Sequence, residues 1–224
     1  MLMPLCLQAQ FVDEFSDGNY HTGPTWTGDT ANYEIDNFRL HLDAPIVDDI
    51  MYLSTPCAAI NNATWEFYVE MGFNPSASNF SKVYLSSSGS DLKGPLNGYY
   101  VRVSGSSADK IGLFRQDIGG TETEIIPGNA DIVDMSPVNA RIQVTRDSLG
   151  NWELLADTSG GTAFVSQGTV LDATHNSSAH FGVYCEYTSS RSDLFWFDDF
   201  DVTGQPFIDN DPPTISLLEL WLLF

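Results

Sequence analysis

Apolar and polar residues alternate with period two along most of the stretch from Phe11 to Val202, and no segment longer than a turn or two carries a 3.6-residue apolar stripe. The clearest run is 64–73. There Trp65, Phe67, Val69, Met71 and Phe73 point one way while Thr64, Glu66, Tyr68 and Glu70 point the other, so one face is core and the other meets water. Similar patterns predict strands at 33–35 and 38–42 around an Asp36-Asn37 turn, and at 82–85, 99–103, 111–115, 141–145, 152–156, 179–187 and 194–202. The connections are turn formers: Asp17-Gly18, Asn97-Gly98, Gly119-Gly120, residues 147–151 and residues 159–161. Many strands joined by short turns predict an all-β fold, a two-sheet antiparallel jelly-roll sandwich, as a single domain over 10–204.

Charge narrows the function classes. Nine Lys and Arg face 30 Asp and Glu, a formal net charge of −21 that repels phosphate backbones and anionic headgroups, so nucleic acid and membrane-surface partners are not expected. With 12% aromatic and 42% hydrophobic residues, the chain lacks the composition of a disordered acidic polymer. Residues 1–9 are apolar and end in Leu7-Gln8-Ala9, which reads as the tail of a secretory signal without its basic start. Cys6 falls in that segment and is incidental. After Gly204 the composition turns to Pro and Asp, so residues 205–224 read as a linker followed by the truncated or out-of-frame start of another module. In an exported chain Cys57 and Cys185 are a candidate disulfide, although Cys185 alternates with Phe181 and Val183 and suits a buried thiol equally well.

Several stretches taken together are familiar: 73–76, 83–85, 94–99, 144–147, 152–154, Tyr187 to Arg191 and Phe197-Asp198-Asp199. In these the chain resembles the amino-terminal concanavalin A-like, or laminin-G-like, domain of secreted and cell-surface multidomain proteins of Bacteroidota, over about residues 11–204. Those proteins often carry lamin-tail or immunoglobulin-like modules. The resemblance implies an extracellular, cell-surface setting and a monomeric module of a larger chain, and assigns no activity.

Two carboxylates stand out. Asp198 shares its alternation phase with Leu194, Trp196, Phe200 and Val202, and Asp13 lies between Phe11 and Phe15. If first and last strands meet, Asp13 and Asp198 are candidate ligands for a structural calcium. The competing reading is that each accepts backbone N–H groups at a strand end. Glu34-Ile35-Asp36 resembles part of the carboxylate strand of laminarinase-type glycosidases, but the second Glu is missing, and Glu66 and Glu70 share the solvent face, so glycosidase chemistry is not expected. His21, His41, His175 and His180 form no zinc pattern, and neither a Gly-x-Ser-x-Gly elbow nor a phosphate loop occurs.

The remaining candidate is a polar face. Tyr68, Tyr100, Arg102, Tyr184 and Glu186 all lie opposite the core in their strands, and such a surface can stack on sugar rings and fix hydroxyls, although outward tyrosines also serve sheets without any ligand. The expectation is a non-catalytic extracellular recognition or adhesion module whose partner is a glycan or a surface protein. A structural spacer with a stabilising calcium is the rival.

Overall fold

The computed structural model describes residues 9–105 and 108–207. The leader reading therefore lies outside the described residues except for Ala9, and the linker and following module lie outside them beyond Phe207.

The strands are β1 (Ala9–Asp13), β2 (Thr27–Gly28), β3 (Tyr33–Asp36), β4 (Arg39–Leu42), β5 (Asp49–Pro56), β6 (Asn61–Met71), β7 (Phe80–Ser87) and β8 (Gly98–Gly105). They continue as β9 (Asp109–Gln116), β10 (Glu122–Ile126), β11 (Val138–Arg146), β12 (Asn151–Asp157), β13 (Val165–Leu171), β14 (His180–Tyr187) and β15 (Phe195–Gln205). One antiparallel sheet runs β13-β12-β11-β6-β15-β4-β3, with β1 also paired to β15; the other runs β10-β9-β8-β7-β14-β5-β2. This is the expected two-sheet jelly-roll sandwich. Among the described residues no helix is long and apolar enough to cross a membrane.

The alternation of β6 sets the core. Trp65, Phe67, Val69 and Met71 are completely buried, and Trp65 stacks on Trp152 of β12 with ring centroids 5.6 Å apart. Val83 and Leu85 of β7, Val101 and Val103 of β8, and Phe181 and Val183 of β14 close the core from the second sheet. Burying one such side chain contributes roughly 1.5–3 kcal/mol. The β3–β4 hairpin turns on Asn37 and Phe38, both at positive φ (49° and 62°), the backbone of a two-residue hairpin turn.

First and last strands do meet, with Asp13 opposite Phe200. The face assigned to Asp198 is nevertheless wrong. Between Asp198 and Asp201 the register of β15 against β6 shifts, with Asp199 at φ 52°, so a bulge inserts a residue and reverses the alternation. Phe195 and Phe197 point inward before it, Phe200 and Val202 after it, and Asp198 joins Trp196 on the outer face.

The bulge leaves Asp198 half-buried opposite Tyr68, and burial, helped by the charge of Asp199, pushes its carboxyl up to about 6, against the hydrogen bond from the Asp199 backbone N–H and the pull of Arg39 and Arg141. Ionising it therefore opposes folding. The sign follows: the fold is favoured below the ordinary carboxylate range, and that advantage is lost as pH rises toward 6. Asp198→Asn is expected to raise stability near pH 7.5 by about 1 kcal/mol after allowance for solvent screening, and to give no gain near pH 4, in thermal melts at both values.

Candidate functional site

The outer face of the seven-stranded sheet gathers four of the five polar-face residues. Because β14, β7 and β8 are consecutive, Tyr184, Lys82 and Arg102 form one cross-strand row, Tyr84, Tyr100 and Phe114 a second, and Glu186 lies opposite Phe80. Lys82 Nζ sits 4.5 Å from the Tyr100 ring centroid and 4.9 Å from that of Tyr184, and pairs with Glu122 Oε1 at 2.6 Å. Burial lowers the Lys82 pKa, against the hold of Glu122. Burial would raise the Glu122 carboxyl, but Lys82, Tyr100 and Arg102 outweigh it and leave its pKa lowered. Arg102 lies over the Phe80 ring at 4.3 Å and reaches Phe114 at 5.8 Å, and Phe114 stacks on Tyr100 at 5.2 Å. Lys82 was legible beforehand, since it shares its alternation phase with Phe80 and Tyr84; Glu122 was not, because its strand carries no apolar alternation.

The tyrosines are outward, as expected, yet not free to stack on a ligand. Tyr100 is completely buried and Tyr184 is 7% exposed, in a second apolar cluster with Phe80, Tyr84, Leu92 and Leu96. The two leucines come from the β7–β8 loop, 88–97, which folds across the sheet. Ser54 Oγ donates to Ser90 O (2.7 Å), and Lys93 Nζ donates to Ile50 O (2.9 Å) and pairs with Asp29 (2.8 Å). Gly182 makes room: a Cβ there would meet Leu92 Cδ1 at 2.7 Å. The part-exposed groups on this face include Ile50, Tyr52, Arg102, Phe114 and Glu186.

Tyr68 does not belong with them. It lies on β6 of the other sheet, where its hydroxyl bonds Asn139 (2.8 Å) and Glu70 (3.2 Å), beside the Arg39–Glu70 ion pair (2.6 Å) and the contacts of Arg141 with Asp199 and Glu66. A shallow groove of about 740 Å³ lies near the end of that same sheet, lined by Thr64, Thr145, Arg146, Trp152 and Thr169 among others, away from the aromatic cluster.

The calcium pair does not form. Asp13, 8% exposed, accepts Trp26 Nε1 at 2.7 Å on one oxygen and Phe15 N at 3.1 Å on the other, while Asp198 faces Tyr68 beyond the bulge and accepts Asp199 N at 2.8 Å. Among the described residues no group of three or more His, Cys, Asp or Glu side chains is placed to hold a metal ion. Asp13 and Asp198 therefore do not fit a shared cation. Cys57 and Cys185 are both buried free thiols, the latter beside the Tyr33 hydroxyl at 3.8 Å, so the candidate disulfide is absent. Glu34 contacts His41 (3.1 Å) and Asp36 accepts Trp196 Nε1 (3.2 Å), so each is engaged within its own sheet.

A further polar network joins the two sheets at one end. Asp172 accepts the Tyr99 hydroxyl at 2.6 Å and Thr174 N at 3.0 Å and pairs with Arg115 at 2.5 Å; Asp117 takes Arg115 at 3.3 Å and His175 Nε2 at 2.8 Å. Every strong acceptor here is bound to a neighbouring element, the pattern of a clasp.

The fold is that of a concanavalin A-like jelly-roll sandwich. Among solved structures, the chain is similar to the VIP36 exoplasmic/lumenal domain in its Ca2+/Man3GlcNAc-bound form, with 12% identity and a TM-score of 0.59 over 92% of this chain and 93% of that one. It is also similar to the carbohydrate recognition domain of Emp46p (13%, TM-score 0.58, 91% and 100%) and to the carbohydrate binding module CBM66 from Bacillus subtilis (13%, TM-score 0.52, 80% and 92%). No protein-family profile and no curated protein matches it.

Proposed function

We propose that the chain is a non-catalytic, exported recognition module that binds a glycan on the outer face of the seven-stranded sheet. The observation that carries this reading is a part-exposed ring, Phe114, in contact with a hydrogen-bond donor, Arg102, on the neighbouring strand, on a face that also carries the acceptor Glu186 two strands from Arg102 and a second part-exposed ring, Tyr52, on the strand after that. Rings that offer a flat apolar surface beside fixed polar groups match the alternating faces of a sugar. The fold supports it too, since the solved domains above are described as carbohydrate-binding or are bound to a mannose glycan. A cell-surface setting is part of the same proposal, supported by the resemblance of the sequence to Bacteroidota surface domains.

Binding to a glycan array of neutral and acidic oligosaccharides, followed by titration calorimetry of the hits, is the test. Phe114→Ala is expected to weaken binding by about fivefold or more, the loss typical of truncating an anchoring ring, while Tyr68→Ala on the other sheet leaves it unchanged. No bound glycan, or equal losses in both variants, overturns the reading.

A further inference from the structure

Arg102 is the one guanidinium on the aromatic face, and it is unspent. Of the nine cations, Arg39, Lys82, Lys93, Lys110, Arg115 and Arg141 are in ion pairs with Asp or Glu. Arg146 is buried and donates to Ile60 O and Asn176, and Arg191 donates to Ser190 O. Arg102 makes neither a hydrogen bond nor an ion pair with any described residue, and its Nε is buried without a partner. The hydroxyl of Tyr100, in the same strand and also buried, makes no hydrogen bond of proper geometry.

Two features make this more than an idle side chain. First, Arg102 lies directly opposite Lys82 across the β7–β8 ladder, a like-charge pairing that is unfavourable unless something compensates. Glu122 is bound to Lys82 and Glu124 to Lys110, so the nearby acids of β10 are taken. Second, the guanidinium rests on Phe80 and Phe114, which fixes its plane before any ligand arrives.

Resting on the glycan reading above, we infer that Arg102 receives the carboxylate of an acidic sugar, a uronic acid unit. A planar guanidinium takes a carboxylate through two parallel N–H···O bonds. A neutral hydroxyl would fill one donor and leave the guanidinium without a bonded counter-charge, since Glu122, although it feels Arg102, is bonded to Lys82. Glu186, on the same face but two strands from Arg102 and opposite Phe80, is placed to accept a hydroxyl of a neighbouring unit of the ligand. The formal charge of −21 sets the ligand's spacing: a dense polyuronate is repelled by the whole molecule, so the carboxylate belongs to a chain of mostly neutral units.

The test is titration calorimetry of the chain with oligosaccharides carrying a single glucuronic acid, and with the same oligosaccharides after reduction of the carboxyl to a primary alcohol. The acid form is expected to bind the wild type at least about tenfold more tightly, the difference expected of a charge-assisted hydrogen bond. Arg102→Gln should abolish that preference, and Arg102→Lys, which keeps the charge and loses the fork, should restore only part of it. Equal binding of acid and reduced forms to the wild type, or an unchanged preference in Arg102→Gln, overturns the inference and leaves the glycan reading standing. Failure of both forms to bind overturns the inference, and absence of every array glycan overturns the underlying reading as well.

Discussion

Asp172→Ala is expected to lower the melting temperature by about 10 °C. The carboxylate holds Tyr99 of β8, Arg115 of β9 and the backbone of Thr174 together, and its side chain is 8% exposed. Removing it leaves the buried Tyr99 hydroxyl without its acceptor and takes from Arg115 the shorter of its two carboxylate partners, with Asp117 remaining at 3.3 Å. Breaking a buried pair from one side costs about 3–5 kcal/mol, and for a domain of this size each kcal/mol moves the midpoint by about 2–4 °C. Burial would raise the Asp172 carboxyl, but the bonds from Tyr99, Thr174 and Arg115 outweigh it and hold its pKa below the ordinary range. Its contribution is thus present above the ordinary carboxylate pKa and lost as pH falls through the lowered value, so wild-type and variant melting curves should converge on acidification. A gap that stays constant down to pH 2 would contradict this account.

Asp13→Ala is expected to cost about 2–3 kcal/mol, because it orphans two buried donors, Trp26 Nε1 and Phe15 N, at the point where β1 joins β15. Here the sign with pH is reversed. Burial raises the Asp13 carboxyl, with its hydrogen bonds from Trp26 and Phe15 pulling the other way, so its ionisation opposes folding. The fold gains from this group below the ordinary carboxylate pKa and loses that gain as pH rises through the raised one. Asp13→Asn, which keeps one of the two acceptors and relieves the buried charge, should therefore fall between wild type and Asp13→Ala at pH 7, in urea melts of all three. If calcium were bound by Asp13, adding it would raise the wild-type midpoint and a chelator would lower it. With both oxygens already taken, neither shift is expected.

The parts of this molecule that could be read from sequence are those where one sheet face is core and the other is wet. β6 is the clearest case, with Trp65 to Met71 buried and Glu66 to Glu70 turned out. β5 went unpredicted because it is covered on both sides: Met51 and Leu53 face the core, while Ser54 is held beneath the β7–β8 loop. β10 and β13 are edge strands with mixed, polar sequences and so carry little alternation. Asp198 was assigned to the wrong face by a bulge, since one inserted residue reverses parity and nothing in Phe197-Asp198-Asp199-Phe200 announces it. For Tyr100 and Tyr184 parity was right and exposure wrong, because a loop that crosses a sheet leaves no periodic trace.

That crossing loop also sets a threshold for any visitor to the sheet. Leu92 and Leu96 occupy the place over the tyrosines that a ligand would need, so the site carries its own competitor on a tether. Displacing two buried leucines costs on the order of 3–6 kcal/mol, which leaves the uncovered state at roughly one molecule in a hundred to one in ten thousand or fewer. A ligand that had to reach Tyr184 would lose that factor from its affinity. One content with Arg102, Phe114 and Glu186 loses nothing, and the loop thereby sorts ligands by how far across the sheet they insist on lying.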